Sequence, residues 1–219
     1  MVKVPVKIVS WDEIVEWTKG LSRKIKDSGW TPDVVVAVAR GGYVPARLLC
    51  DFLDITDLLS VQSQHWTEAA KAAEKAILKY PYKVDMEGKK VLVVDDIVDT
   101  GETLLLARDY IQKEWKPAEV KVAALQWISP VAKFEPDYYH IEVKDWTWFQ
   151  YPWTRLEDLQ QFIVRILRED ERFKNRDEAS LTELVEAFVE WYGVEPEDFG
   201  DYWDLAISRL REKGYRIKH

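Results

Sequence analysis

The chain is poor in the residues that mark disulfides, metal centres and membrane spans. Its 219 residues include one cysteine, Cys50, so no internal disulfide can form, which suits a reducing compartment. The three histidines, His65, His140 and His219, lie far apart, and none belongs to a metal-ligand spacing such as HExxH. Neither GxSxG nor GxGxxG occurs, which removes the usual hydrolase and nicotinamide signatures, and the absence of G-x-x-x-x-G-K-S/T excludes a Walker loop. No apolar run approaches the roughly 18 residues of a spanning helix. The opening segment MVKVPVKIVSW has neither a long apolar stretch nor a small-residue cleavage site. A cytoplasmic protein with no membrane partner is therefore expected. Positive charge is also in deficit, with 31 Lys and Arg against 39 Asp and Glu and a net charge of −8, so no nucleic-acid partner is expected.

What is present is a globular composition, 47% hydrophobic and 32% charged, enough to build a core. Residues 10–28 read as a helix, with Ile14, Trp17, Leu21 and Ile25 at helical spacing. The run VVVAVA at 34–39 reads as a strand buried on both faces. A helix is expected around 45–53, a strand at 57–62, a second buried strand at 91–96, a helix over 102–115, and strands at 120–127 and 138–143. This alternation predicts an α/β fold with a mostly parallel sheet flanked by helices, its ligand beyond the carboxyl ends of the strands. Residues 63–83 change character: polar and rich in Ala and Lys, they read as a partly helical excursion. From Leu156 the pattern is helical, and SLTELVEAFVEWYGV opens on a Ser180–Glu183 capping box and ends at Gly193. The expected division is one domain over 1–155 and a helical C-terminal appendage over 156–219.

The chemistry concentrates in VLVVDDIVDTGET, residues 91–103. Adjacent Asp95 and Asp96, placed where a buried strand emerges, repel each other unless cations or hydroxyl donors are present. The following Asp99-Thr100-Gly101-Glu102-Thr103 supplies hydroxyls and free backbone N–H groups at a helix start, which is a nest for a phosphate. Acids for a sugar diol and a metal, next to amides for a phosphate, describe a ribose-5-phosphate site. A plain acidic capping loop is the competing reading for the individual residues. A second element, Ala39-Arg40-Gly41-Gly42-Tyr43, offers a cation and lets the main chain approach a ligand closely. A third, Asp145 to Trp153, crowds aromatics into an expected loop, where they either stack on a flat ligand or close the core.

The string at 91–103 resembles the type I phosphoribosyltransferase motif for phosphoribosyl pyrophosphate (PRPP), and VAVARGGYVPARLL resembles the bacterial xanthine-guanine members. The resemblance covers roughly residues 9–154. It implies the type I phosphoribosyltransferase fold with a small hood over about 128–155 and a flexible lid over about 63–82, where Ser63, Gln64 and Lys71 are candidate contacts. It implies that Asp95 and Asp96 serve the ribose hydroxyls and Mg²⁺, and that Asp99, Thr100, Gly101, Glu102 and Thr103 wrap the 5′-phosphate. Glu102 replaces a commoner small residue, so its side chain must point away from the phosphate. Asp99 is expected to handle a proton of the attacking base, shaping the loop being the alternative. Arg40 and Gly41 would contact pyrophosphate. Trp148 would stack on the base and Phe149 offer backbone contacts. The lysine that contacts a 6-oxo group in purine members aligns here with Ser129, which leaves Lys133 as the nearest candidate. The implied activity is transfer of ribose 5-phosphate from PRPP to a 6-oxopurine in purine salvage, by a homo-oligomer, dimer or tetramer. The alternatives are another acceptor, adenine or a pyrimidine, and a non-catalytic PRPP-binding regulator, against which Asp99 and Arg40 argue.

Overall fold

The computed structural model describes residues 3–67 and 74–218. In chain order they form β1 (Val6–Ile8), α1 (Trp11–Asp27), β2 (Val34–Ala39), α2 (Tyr43–Leu53), β3 (Leu58–Thr67), β4 (Glu74–Lys79), β5 (Lys90–Val98), α3 (Glu102–Glu114), β6 (Glu119–Ile128), β7 (Tyr138–Val143), β8 (Trp148–Gln150), α4 (Arg155–Glu169), β9 (Ala179–Ser180), α5 (Leu181–Tyr192), a 3-10 turn at Pro196–Phe199, α6 (Asp201–Glu212) and β10 (Ile217–Lys218). The chain divides into two compact units, one over Asp12–Asp145 and the other combining the residues up to Trp11 with Trp146–His219.

The Asp12–Asp145 unit holds a six-stranded sheet in the order β4-β3-β2-β5-β6-β7. Every neighbouring pair is parallel except β3 with β4. The β-branched run of β2 is buried along its whole length, as expected for a strand covered on both faces. Val34, Val36, Val38, Val91, Val93, Val122 and Ala124 share a cluster with Leu104, Ala107 and Ile111 of α3. The intervening Val35, Ala37, Leu92 and Val94 point to the opposite face and are buried as well. The sheet is thus covered on both sides, and its polar business is pushed to the strand ends.

The excursion after β3 is not helical where it is described. β3 and β4 pair antiparallel, with Gln62 opposite Lys79 and Thr67 opposite Glu74. Parallel pairing of β3 with β2 runs to Gln62, so the ribbon continues in β geometry past the end of β2. Over Glu74–Lys79 the ladder hydrogen bonds outweigh helix propensity, and residues 68–73 of the expected excursion lie outside the described residues. Of the candidate lid contacts, Ser63 and Gln64 lie in β3, and Lys71 lies outside the described residues.

In the other unit, α4, α5 and α6 bury Leu159, Phe162, Ile166, Phe188, Trp191, Tyr192, Trp203 and Leu210 around one core. Phe162 and Tyr192 stack at 4.3 Å between ring centroids. The boundary differs from the expected 155/156 because β8 pairs with β1 in parallel, Val6 opposite Trp148 and Ile8 opposite Gln150. The aromatic stretch read as a loop therefore contains a strand. Ser180 and Gly193 do bound α5, but Ser180 makes no side-chain cap bond. Glu183 instead accepts from Arg176 at 2.9 Å, so the expected capping box does not form.

One polar group is built into this core. The Asp170 carboxylate accepts from Arg172 through both oxygens at 2.9 Å and from the Trp191 indole at 2.7 Å. The Arg172 bonds hold Asp170 far below the usual carboxylate range. A carboxyl depressed in the folded state stabilises the protein above its unfolded pKa, about 4. That contribution fades as pH falls toward the folded value. Asp170→Ala should cost about 2 kcal/mol at neutral pH, because it leaves the buried Trp191 indole N–H without its acceptor and takes two charge-assisted bonds from the half-buried Arg172, which keeps Glu190. In urea unfolding the difference from the parent protein should shrink as pH falls below about 4.

Candidate active site

The site forms where β5 leaves the sheet. Val91 to Val94 are buried between β2 and β6, and the acids follow directly. The side chain of Asp95 accepts the Asp96 N–H at 2.9 Å, and that of Asp96 accepts the Ile97 N–H at 2.9 Å. Burial, then the neighbouring Asp96 charge, pushes the Asp95 carboxyl well up. Two such carboxyls favour a ligand that brings hydroxyl donors or positive charge.

The Arg40-Gly41-Gly42 turn packs directly on this strand end. A Cβ on Gly41 would overlap the Asp96 carboxylate. A Cβ on Gly42 would overlap the Val94 carbonyl and the Val38 backbone. The Gly42 N–H donates to the Val38 carbonyl at 2.8 Å, and the Ala39–Arg40 peptide is cis. The two motifs, distant in sequence, are therefore brought together, with glycine required by the closeness of the approach. Arg40 is exposed at the turn.

Asp99 to Thr103 wrap the start of α3. Gly101 has φ +83°, a left-handed conformation that suits glycine, and a Cβ there would stand 2.6 Å from the Phe134 ring. Thr100 Oγ1 accepts the Glu102 N–H at 3.4 Å. Partial desolvation raises the Asp99 carboxyl above the ordinary range. A cleft of about 370 Å³ is lined by Asp95, Asp96, Ile97, Asp99, Thr100, Gly101, Thr103 and Leu104. Its size suits a small phosphorylated ligand.

Glu102 does not line that cleft. Its carboxylate pairs with the ammonium of Lys133, on the turn after β6. The Lys133 N–H also donates to the Thr100 carbonyl at 3.0 Å. Lys133 was legible in the sequence by position, its pairing with Glu102 was not, and neither was Phe134, whose ring covers Gly101. No local spacing signals either contact. Trp148 and Phe149 lie in the other unit, in β8, both partly buried. Trp148 packs edge-on against Phe162 at 5.2 Å.

The sequence and the fold have known relatives. The model of the family described as phosphoribosyl transferase domain matches residues 8–157. A xanthine-guanine phosphoribosyltransferase of Cereibacter sphaeroides is 33% identical, over 66% of this chain and 84% of its own. Another, from Desulfotalea psychrophila, is 30% identical, over 75% of this chain and 94% of its own. Among solved structures, a purine phosphoribosyltransferase from Pyrococcus horikoshii superposes with a TM-score of 0.57 at 30% identity, covering 67% of this chain and 92% of that one. α5 and α6 lie beyond the part matched by the family model.

Proposed function

The chain belongs to the phosphoribosyl transferase domain family, and from that premise we propose that it transfers ribose 5-phosphate from PRPP to a ring nitrogen of a 6-oxopurine, releasing pyrophosphate. The observation that carries this reading is the fit of Gly41 against Asp96, which sets the Arg40–Gly42 turn beside Asp95, Asp96 and the start of α3 and supports reading that turn as a leaving-group loop.

In this reading the amides and hydroxyls of Thr100 to Thr103 hold the 5′-phosphate. Asp95 and Asp96 accept from the ribose hydroxyls. Arg40 and the Gly41 amide take up charge on the departing pyrophosphate. The bond from the anomeric carbon to pyrophosphate breaks as the bond to the purine nitrogen forms, and the proton on the ring nitrogen next to the reacting one passes to Asp99. A raised carboxyl suits that task, being a stronger base when ionised. Xanthine, guanine and hypoxanthine are the acceptors proposed, with Trp148 and Phe149 as base contacts carried over from the sequence resemblance.

Among the described residues no group of three or more His, Cys, Asp and Glu could by itself hold a metal. The Asp95–Asp96 pair fits Mg²⁺, which takes one or two carboxylates, directly or through water, and fills its shell from substrate oxygens. Bound there, Mg²⁺ would supply neutralising charge for pyrophosphate. Among the described residues no helix is long and apolar enough to cross a membrane. A cytoplasmic location and a homo-oligomeric state complete the proposal.

A crystal structure with the nucleoside monophosphate of a 6-oxopurine tests the assignment. The 5′-phosphate is expected on the amides of residues 100–103 and the diol on Asp95 and Asp96. A nucleotide bound away from this cleft would overturn it.

A further inference from the structure

We propose that Lys133 is a positioning residue of the phosphate nest: by pairing with Glu102 it draws that carboxylate away from the cleft and cancels its charge, so that the nest can take a dianion. The inference rests on the functional reading above, and it gives Lys133 a task other than reading the purine edge.

Glu102 is the first residue of α3, where the helix dipole and the free amides attract any anion. A carboxylate there competes with the 5′-phosphate for the same field and repels it. The fold answers with a strap from the turn after β6. The Lys133 ammonium meets Glu102, the Lys133 N–H holds the Thr100 carbonyl at 3.0 Å, and the Phe134 ring covers Gly101. The strap is itself fixed to β6, because the Trp127 indole donates to the Phe134 carbonyl at 3.0 Å. The backbone bond and the ring place the turn; the ammonium sets the charge at the mouth of the nest. The pair is partly exposed, at 59% for Lys133 and 34% for Glu102, so its influence should be modest and sensitive to salt.

The test is a double-mutant cycle on the full chain, with steady-state kinetics and direct titration of PRPP. Lys133→Ala should raise KM for PRPP about fivefold with kcat and the KM of the base little changed, an effect of the size expected for one partly screened charge. The increase should shrink in 0.5 M salt. Lys133→Arg, which keeps the charge, should recover most of the loss. Glu102→Gln should lower KM for PRPP, and the double variant E102Q/K133A should return to within about twofold of the parent, since removing both partners removes the conflict. Two results overturn the inference: an unchanged KM for PRPP with a raised KM for the base, which makes Lys133 a base contact, or a double variant as impaired as Lys133→Ala, which makes its role structural. If the parent protein itself binds no PRPP, the functional reading fails, and this inference fails with it.

Discussion

Asp99→Asn is expected to lower kcat for phosphoribosyl transfer by about two to four orders of magnitude, the usual worth of a positioned proton acceptor. PRPP affinity should stay within about threefold, because the amides of residues 100–103 do not depend on that carboxylate. Asn is nearly isosteric, so the loop that Asp99 occupies at the mouth of the cleft is kept. The sign of the pH dependence follows from the raised carboxyl. Only the ionised form accepts a proton, so kcat falls as pH drops through a value above the ordinary aspartate range. In the Asn variant that acid limb should vanish along with most of the rate. A variant with full turnover would reduce Asp99 to a loop-shaping residue.

The second large effect is on the fold itself. Gly42→Ala should cost about 3 kcal/mol, because the new methyl meets main-chain atoms of the central strands β5 and β2 rather than a side chain that can swing aside. Either the turn lifts off β5 or the strands part. In both cases the Arg40–Gly42 turn loses its place against Asp96, and activity should fall with stability. Gly88→Ala is the control. Gly88 has φ +75° but nothing within 4 Å of an added Cβ, so only the backbone preference is lost, about 1 kcal/mol. Urea unfolding of the two variants beside the parent separates the cases. Equal costs would mean that the tight approach at Gly42 is not what holds the turn.

These two residues also mark what a sequence can and cannot disclose. The apolar run ending in Asp95 and Asp96 was readable as a buried strand with a polar exit, because burial on both faces demands such a run. The glycine pair was readable as a close approach, though not what it approaches. Of the excursion over 63–83, Glu74–Lys79 misled, since Ala76 and the lysines around it favour a helix in isolation while the edge of the sheet offers a ladder. β8 was invisible for a similar reason: its partner β1 lies at the far end of the chain. Ser180 and Glu183 had the spacing of a capping box, but Arg176 claims the glutamate. The pairing of Glu102 with Lys133 joins two loops across the sheet top, and only the fold brings them within reach.

Pyrophosphate release by the purified protein with PRPP, Mg²⁺ and a panel of bases tests whether it joins PRPP to a 6-oxopurine. Pyrophosphate should form one-for-one with nucleoside monophosphate when guanine, xanthine or hypoxanthine is supplied, and little should form with adenine or pyrimidines. Turnover with adenine or a pyrimidine alone would move the acceptor while leaving the PRPP site intact. PRPP binding with no pyrophosphate from any base would rule out phosphoribosyl transfer and make the protein a PRPP-responsive regulator.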